Sequence, residues 1–80
     1  MESKIAVVAI IVSDKTAVQR INELLHEFGD HIIGRLGLPY KERNLSVISI
    51  VMDAPQEVIN SLSGKLGMIN GVKSKVLTAK

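Results

Sequence analysis

Two strand–helix units, written one after the other, predict an α+β sandwich: a four-stranded antiparallel sheet with two helices on one face. Three observations carry this. Two β-branched runs, IAVVAIIV at 5–12 and LSVISIVM at 45–52, read as strands. Each is followed by helix-start chemistry and then by an apolar stripe at helical spacing. The two units recur about 40 residues apart, seen in Asp14 against Asp53 and Ile21 against Leu62. Two repeats do not make a solenoid, which needs at least three, but two strand–helix–strand units make a split βαβ sandwich.

The elements follow in order. Strand β1 (4–12) is continuously apolar and reads as buried on both faces. Ser13 and Asp14 supply capping chemistry, and Thr16 with Gln19 offers a capping box. Helix α1 (15–28) carries Ala17, Val18, Ile21, Leu24, Leu25 and Phe28 on one stripe, and Gly29 stops it as a C-cap. Strand β2 (31–37) leads into PYKERN (39–44), a polar hairpin loop. Strand β3 (45–52) ends at Asp53-Ala54-Pro55, with proline at or near the first helical position. Helix α2 (55–66) buries Val58, Ile59, Leu62 and Leu66, and Gly67 stops it. Strand β4 (71–78) closes the chain. Right-handed crossovers put both helices on one face and give the strand order 4-1-3-2, a ferredoxin-like βαββαβ sandwich. In this reading β1 and β3 are central and run parallel, so both helix N-termini meet at one edge.

Eighty residues make one domain, 1–80. The chain has no cysteine, so disulfides, thiolate metal sites and cysteine nucleophiles are excluded. A net charge of +2, with interspersed charges, is too small for a nucleic-acid footprint. The longest apolar run, eight residues, is too short for a bilayer span, and the SDK after it is no signal-cleavage site. The expectation is a cytoplasmic chain without a membrane.

The helices cover one face of the sheet. On the other, either alternation of β1 and β3 leaves an apolar strip down the middle, and such a strip marks an interface. The predicted interface residues are Val47, Ser49 and Val51 on β3, with Ile33 and Arg35 on β2. On β2, His31, Ile33, Arg35 and Gly37 are expected on the open face, and Ile32, Gly34 and Leu36 against the helices. Gly34 and Gly37 leave room for a bulge. A homodimer or homotetramer follows.

Motifs remove several uses of this architecture. RNA-recognition domains stack bases on aromatic side chains of the central strands, and here the aromatics are Phe28 and Tyr40, on neither. Metallochaperones of this fold carry a Cys-x-x-Cys loop. Acylphosphatases carry a glycine-rich, arginine-containing loop after β1, where this chain has SDKT. GKLG at 64–67 lacks the upstream glycine and the following serine or threonine of a phosphate loop. His26 and His31 lie across the end of α1 without ligand spacing and read as surface or interface histidines. No metal, no cofactor and no catalytic residue is expected. The candidate ligand residues are Ser13, Asp14, Lys15 and Thr16 after β1, Asp53 after β3, and His31 and Arg35 on β2. The two aspartates read first as plain helix caps at a shared edge; the functional alternative is a small effector with an amino or cationic group held there, with Lys15 supplying complementary charge.

Two stretches, EFGDHIIGRLGLPY and LSVISIVMDAPQEVINSLSGKLGMINGVKSKV, resemble the iron-only hydrogenase system regulators. The matching words are GD, IIGRLGLPY, DAP and SGKLGMINGV, and the resemblance covers about residues 4–78. That family consists of small ACT-like domains encoded near hydrogenase maturation genes in anaerobic bacteria. GVKSKVL is also distantly similar to the last strand of the nickel-responsive repressor's regulatory domain, whose cysteine and clustered histidines are not present here. The resemblance implies a regulatory role; the reading built on it is a transcriptional regulator or ligand-responsive regulatory module, non-catalytic, with a small-molecule effector and a partner regulator protein that reads its assembly state. The alternative is an oligomeric scaffold that uses its open face and binds no small molecule. Direct DNA binding is a third expectation, through Arg35, Lys73 and Lys75 gathered from several subunits.

Overall fold

The computed structural model describes residues 2–79; Met1 and Lys80, included in the 1–80 domain, lie outside the described residues. The order is β1 (Ser3–Val12), α1 (Ala17–Glu27), a 3-10 turn (Gly29–His31), β2 (Ile32–Tyr40), a second 3-10 turn (Lys41–Arg43), β3 (Leu45–Pro55), α2 (Gln56–Gly67) and β4 (Val72–Thr78). The sheet order is β2-β3-β1-β4, the predicted order read from the other edge.

All three pairings are antiparallel, β1 with β3 included. The expected parallel run of β1 and β3 is therefore wrong. A right-handed crossover returns β2 parallel to β1, and the tight hairpin then reverses the chain into β3, between them.

The core lies between the sheet and the helices. Ala6, Val8, Ile10 and Val12 of β1 and Ile48, Ile50, Met52 and Ala54 of β3 point inward and are buried. Ala17, Ile21, Leu24 and Leu25 of α1 and Ile59, Leu62 and Leu66 of α2 meet them. Val18, Phe28 and Val58 pack at the margin, so both predicted stripes are the core faces. Strand β1 is buried on one face only, with Ile5, Val7 and Ile11 exposed on the other.

The helix ends differ from expectation. The helices stop at Phe28 and Met68, and neither Gly29 nor Gly67 is left-handed. Gly71 is, at φ 80°, as is Asn44 in the hairpin, at φ 54°. Thr16 makes no side-chain cap, so the Thr16–Gln19 capping box does not form. Asp53 lies inside β3, three residues before α2, and caps nothing; Pro55 holds the N-cap position.

Strand β2 carries a bulge between Ile32 and Gly34. Ile32 pairs with inward-facing Met52, and Ile33 is the extra residue. Beyond it the alternation is reversed. Arg35 and Gly37 oppose the inward Ile50 and Ile48, while Leu36 and Leu38 oppose the outward Ser49 and Val47. The expected facing of Arg35 and Leu36 is thus exchanged, and Leu36 is 68% exposed on the open side.

Candidate functional site

The predicted ligand residues fall into three separate places. Ser13, Asp14, Lys15 and Thr16 form the β1–α1 loop. One Asp14 carboxylate oxygen accepts from the Thr16 backbone N–H at 2.9 Å and from its hydroxyl at 2.7 Å. The Asp14 carbonyl accepts from Ala17 N–H at 3.0 Å, which opens the helix. The two Thr16 bonds hold the Asp14 carboxyl below the ordinary value of 3.8. The loop is clasped to the α2–β4 turn. Ser13 donates its backbone N–H to the Gly71 carbonyl at 2.8 Å, and its hydroxyl reaches the same oxygen at 3.2 Å.

Asp53 and His31 lie at the other end of the sheet. Asp53 pairs with Ile5, near the start of β1, whereas Asp14 follows the end of β1. At about 3.4 Å per residue the two aspartates are roughly 30 Å apart. The predicted shared edge with two aspartates does not exist within one chain, because antiparallel neighbours send their C-terminal ends in opposite directions. Arg35 lies in a third place, on the helix side, where its guanidinium donates to the Asn22 side chain of α1. It leaves the open face that Lys73 and Lys75 of β4 share, so these three cations form no single surface within the chain. His26 is exposed in the last turn of α1 and His31 is half-buried in the first 3-10 turn. Among the described residues no three His, Cys, Asp or Glu side chains gather as metal ligands.

The open face itself can be mapped strand by strand. Following the pairings from β2 to β4, one row reads Leu38, Val47, Ile11, Lys73. The next reads Leu36, Ser49, Ala9, Lys75, and the next Gly34, Val51, Val7, Leu77. Tyr40 beside Leu45, and Asp53 beside Ile5, finish the two ends. Val47, Ser49 and Val51 are where the sequence placed them, and Ile33 projects from the bulge, 64% exposed. Sequence reasoning missed Leu36, Leu38, Tyr40 and Leu77. Leu77 was legible from alternation along VKSKVL; the β2 residues were hidden by the bulge.

The whole chain shows more surface than a monomer of its mass usually does. The chain exposes 5528 Å² at 8.7 kDa. The surface of a monomer of that mass scales to roughly 4700 Å². The excess, about 800 Å², equals what one partner buries in a standard interface.

A concavity of about 210 Å³ lies at the hairpin end, with Lys15, Tyr40, Lys41 and Asn44 among its walls. It joins residues of the β1–α1 loop to the β2–β3 hairpin. The sequence pointed to the loop half; Lys41 and Asn44 gave no signal beyond belonging to a polar loop.

A four-stranded antiparallel sheet in this order, helices on one face and an apolar open face, defines an ACT-like domain of the ferredoxin-like class. Among known families, residues 4–76 match the TM1266-like family of proposed iron-only hydrogenase system regulators. The chain belongs to that family. The solved structure of the uncharacterized protein TM1266 from Thermotoga maritima is similar to it at 38% identity and a TM-score of 0.94, over 99% of this chain and 100% of that one. A PII-like nitrogen regulatory protein, CPII from Thiomonas intermedia K12, solved with ADP, AMP and bicarbonate, shares the fold at 17% identity and a TM-score of 0.52, over 96% of each chain. So does 28% of a formyltetrahydrofolate deformylase from Pseudomonas putida KT2440, at 8% identity and a TM-score of 0.66, over 91% of this chain. No curated protein matches the chain. Among the described residues no helix is long and apolar enough to cross a membrane.

Proposed function

We propose that this chain is a non-catalytic regulatory module that works as a homo-oligomer assembled through its open sheet face. One observation carries the reading: an apolar face built on β2, β3 and β1 and reaching Leu77 of β4, on a chain with about one interface's worth of surplus surface. The family's description as iron-only hydrogenase system regulators supports a regulatory role tied to that system, and transcriptional control is the form of it proposed here. The mechanism is linkage. An effector that binds one assembly state better than another shifts the population, and a partner regulator protein reads the state. Lys73 and Lys75 border the face on β4, and stacking would bring them toward the rim, which supports contact with an acidic partner or with DNA.

Sedimentation from low to high micromolar concentration tests the assembly. The chain is expected to sediment as a dimer or tetramer. Val47→Asp, which puts an unpaired carboxylate in the middle of the face, is expected to give a folded monomer. A wild-type chain that stays monomeric at high micromolar concentration overturns the reading. Thermal shift against organic acids, amino acids, adenine nucleotides and metals separates an effector-responsive module from a scaffold that binds no small molecule.

A further inference from the structure

The concavity at the hairpin end is formed by three stretches of chain that the fold brings together. Val12, at the end of β1, is 2% exposed and forms its floor with Leu45 and Pro39. Lys15, before α1, and Lys41, in the hairpin, line it from separate elements. Tyr40 supplies a ring. Asn44 holds the wall in shape through its left-handed backbone, with its N–H donating to the Lys41 carbonyl at 3.1 Å.

Two carboxylates lie close in the chain, both outside the recess's lining residues. Asp14, adjacent to Lys15, accepts both of its bonds from Thr16. Glu42, the hairpin's own carboxylate, accepts from the Tyr40 hydroxyl at 3.3 Å. The recess is largely apolar, and its lining residues include the two lysines and no carboxylate.

We propose that this recess binds a small organic anion with an apolar body, a monocarboxylate of one ring or a short chain. Its carboxylate lies between Lys15 and Lys41 and its body rests on Val12, Leu45 and the Tyr40 ring. Size sets the class. At about 210 Å³ the recess matches a small organic ligand. This replaces the cationic ligand that two clustered aspartates would have favoured. The proposal deepens the regulatory reading by naming the effector class, and rests on that reading only for what occupancy does.

The test is an NMR titration of the full chain with benzoate, with benzamide, benzylammonium and AMP beside it at constant ionic strength. Benzoate is expected to give saturable shifts confined to the amides around Lys15 and from Tyr40 to Ser46. Lys15→Gln and Lys41→Gln are each expected to weaken it about tenfold, the loss of one charge-assisted bond. Leu45→Trp, which fills the recess, is expected to abolish binding while shifts elsewhere stay native. Four results overturn the proposal: no saturable shift, equal shifts from benzamide or benzylammonium, shifts spread over the open face, or lysine variants that bind like wild type. AMP binding tighter than benzoate overturns the size argument and with it the ligand class. Because sedimentation reads assembly and the titration reads the recess, either idea can fail alone.

Discussion

Replacing Gly71 by alanine perturbs the clasp between the β1–α1 loop and the α2–β4 turn. The structure sets the magnitude. At φ 80°, an L-residue costs about 1–2 kcal/mol in a left-handed conformation. The new Cβ would lie 2.5 Å from the Asp14 Cβ, where carbon atoms pack at about 3.5–4.0 Å. Neither atom is the tip of a flexible side chain, so backbone must move by about 1 Å. That movement strains the 2.8 Å bond from the Ser13 N–H to the Gly71 carbonyl, worth about 1 kcal/mol. Together the loss is about 2–3 kcal/mol. For a domain of this size each kcal/mol is roughly 4–8 °C of Tm, so a fall of about 10–25 °C is expected. Calorimetry at fixed protein concentration measures it, because assembly also moves Tm. Gly64→Ala is the control. Its Cβ meets open space in the middle of α2, so it is expected to raise stability by about 0.5–1 kcal/mol. A Gly71→Ala protein that melts within about 3 °C of wild type refutes the clasp.

Two further outcomes follow from the same structure. Leu62→Ala removes a side chain with 0% exposure from the centre of α2, and about 2–5 kcal/mol is expected in denaturant melts, enough to leave so small a domain marginal. Asp14 carries a pH dependence: its carboxyl is depressed by the bonds from Thr16, so its contribution is present above the ordinary value of 3.8 and lost as pH falls through the lower folded value. The stability gap between wild type and Asp14→Ala is therefore expected to narrow on acidification below that value, and a gap that widens there contradicts the assignment.

The sequence was explicit about what repeats and silent about what occurs once. Ile21, Leu24, Leu25, Ile59, Leu62 and Leu66 announce their burial by helical spacing, and the structure buries all six. Strand order followed from crossover handedness. Strand polarity was misjudged for β1 and β3, and that error moved Asp53 to the wrong end of the sheet. Arg35 was lost to a single inserted residue, which no alternation count reveals because Ile32 and Ile33 are identical in chemistry. The stretch that resembles a known family, IIGRLGLPY, is the same stretch whose facing the bulge conceals. The recess at the hairpin was illegible because its lysines come from segments 26 residues apart, brought together only by the sheet.

The bulge at Ile33 puts the two parts of β2 in different reading frames. Ahead of it, Ile32 is in phase with the core. Behind it, Leu36, Leu38 and Tyr40 are in phase with the open face, held there by the hairpin. Deleting Ile33 would force one frame on the whole strand. Either Ile32 leaves the core, or three large side chains leave the surface and Arg35 takes their side. A one-residue deletion here therefore trades folding stability against the stickiness of the face, and no substitution at Ile33 that keeps the chain length makes the same exchange.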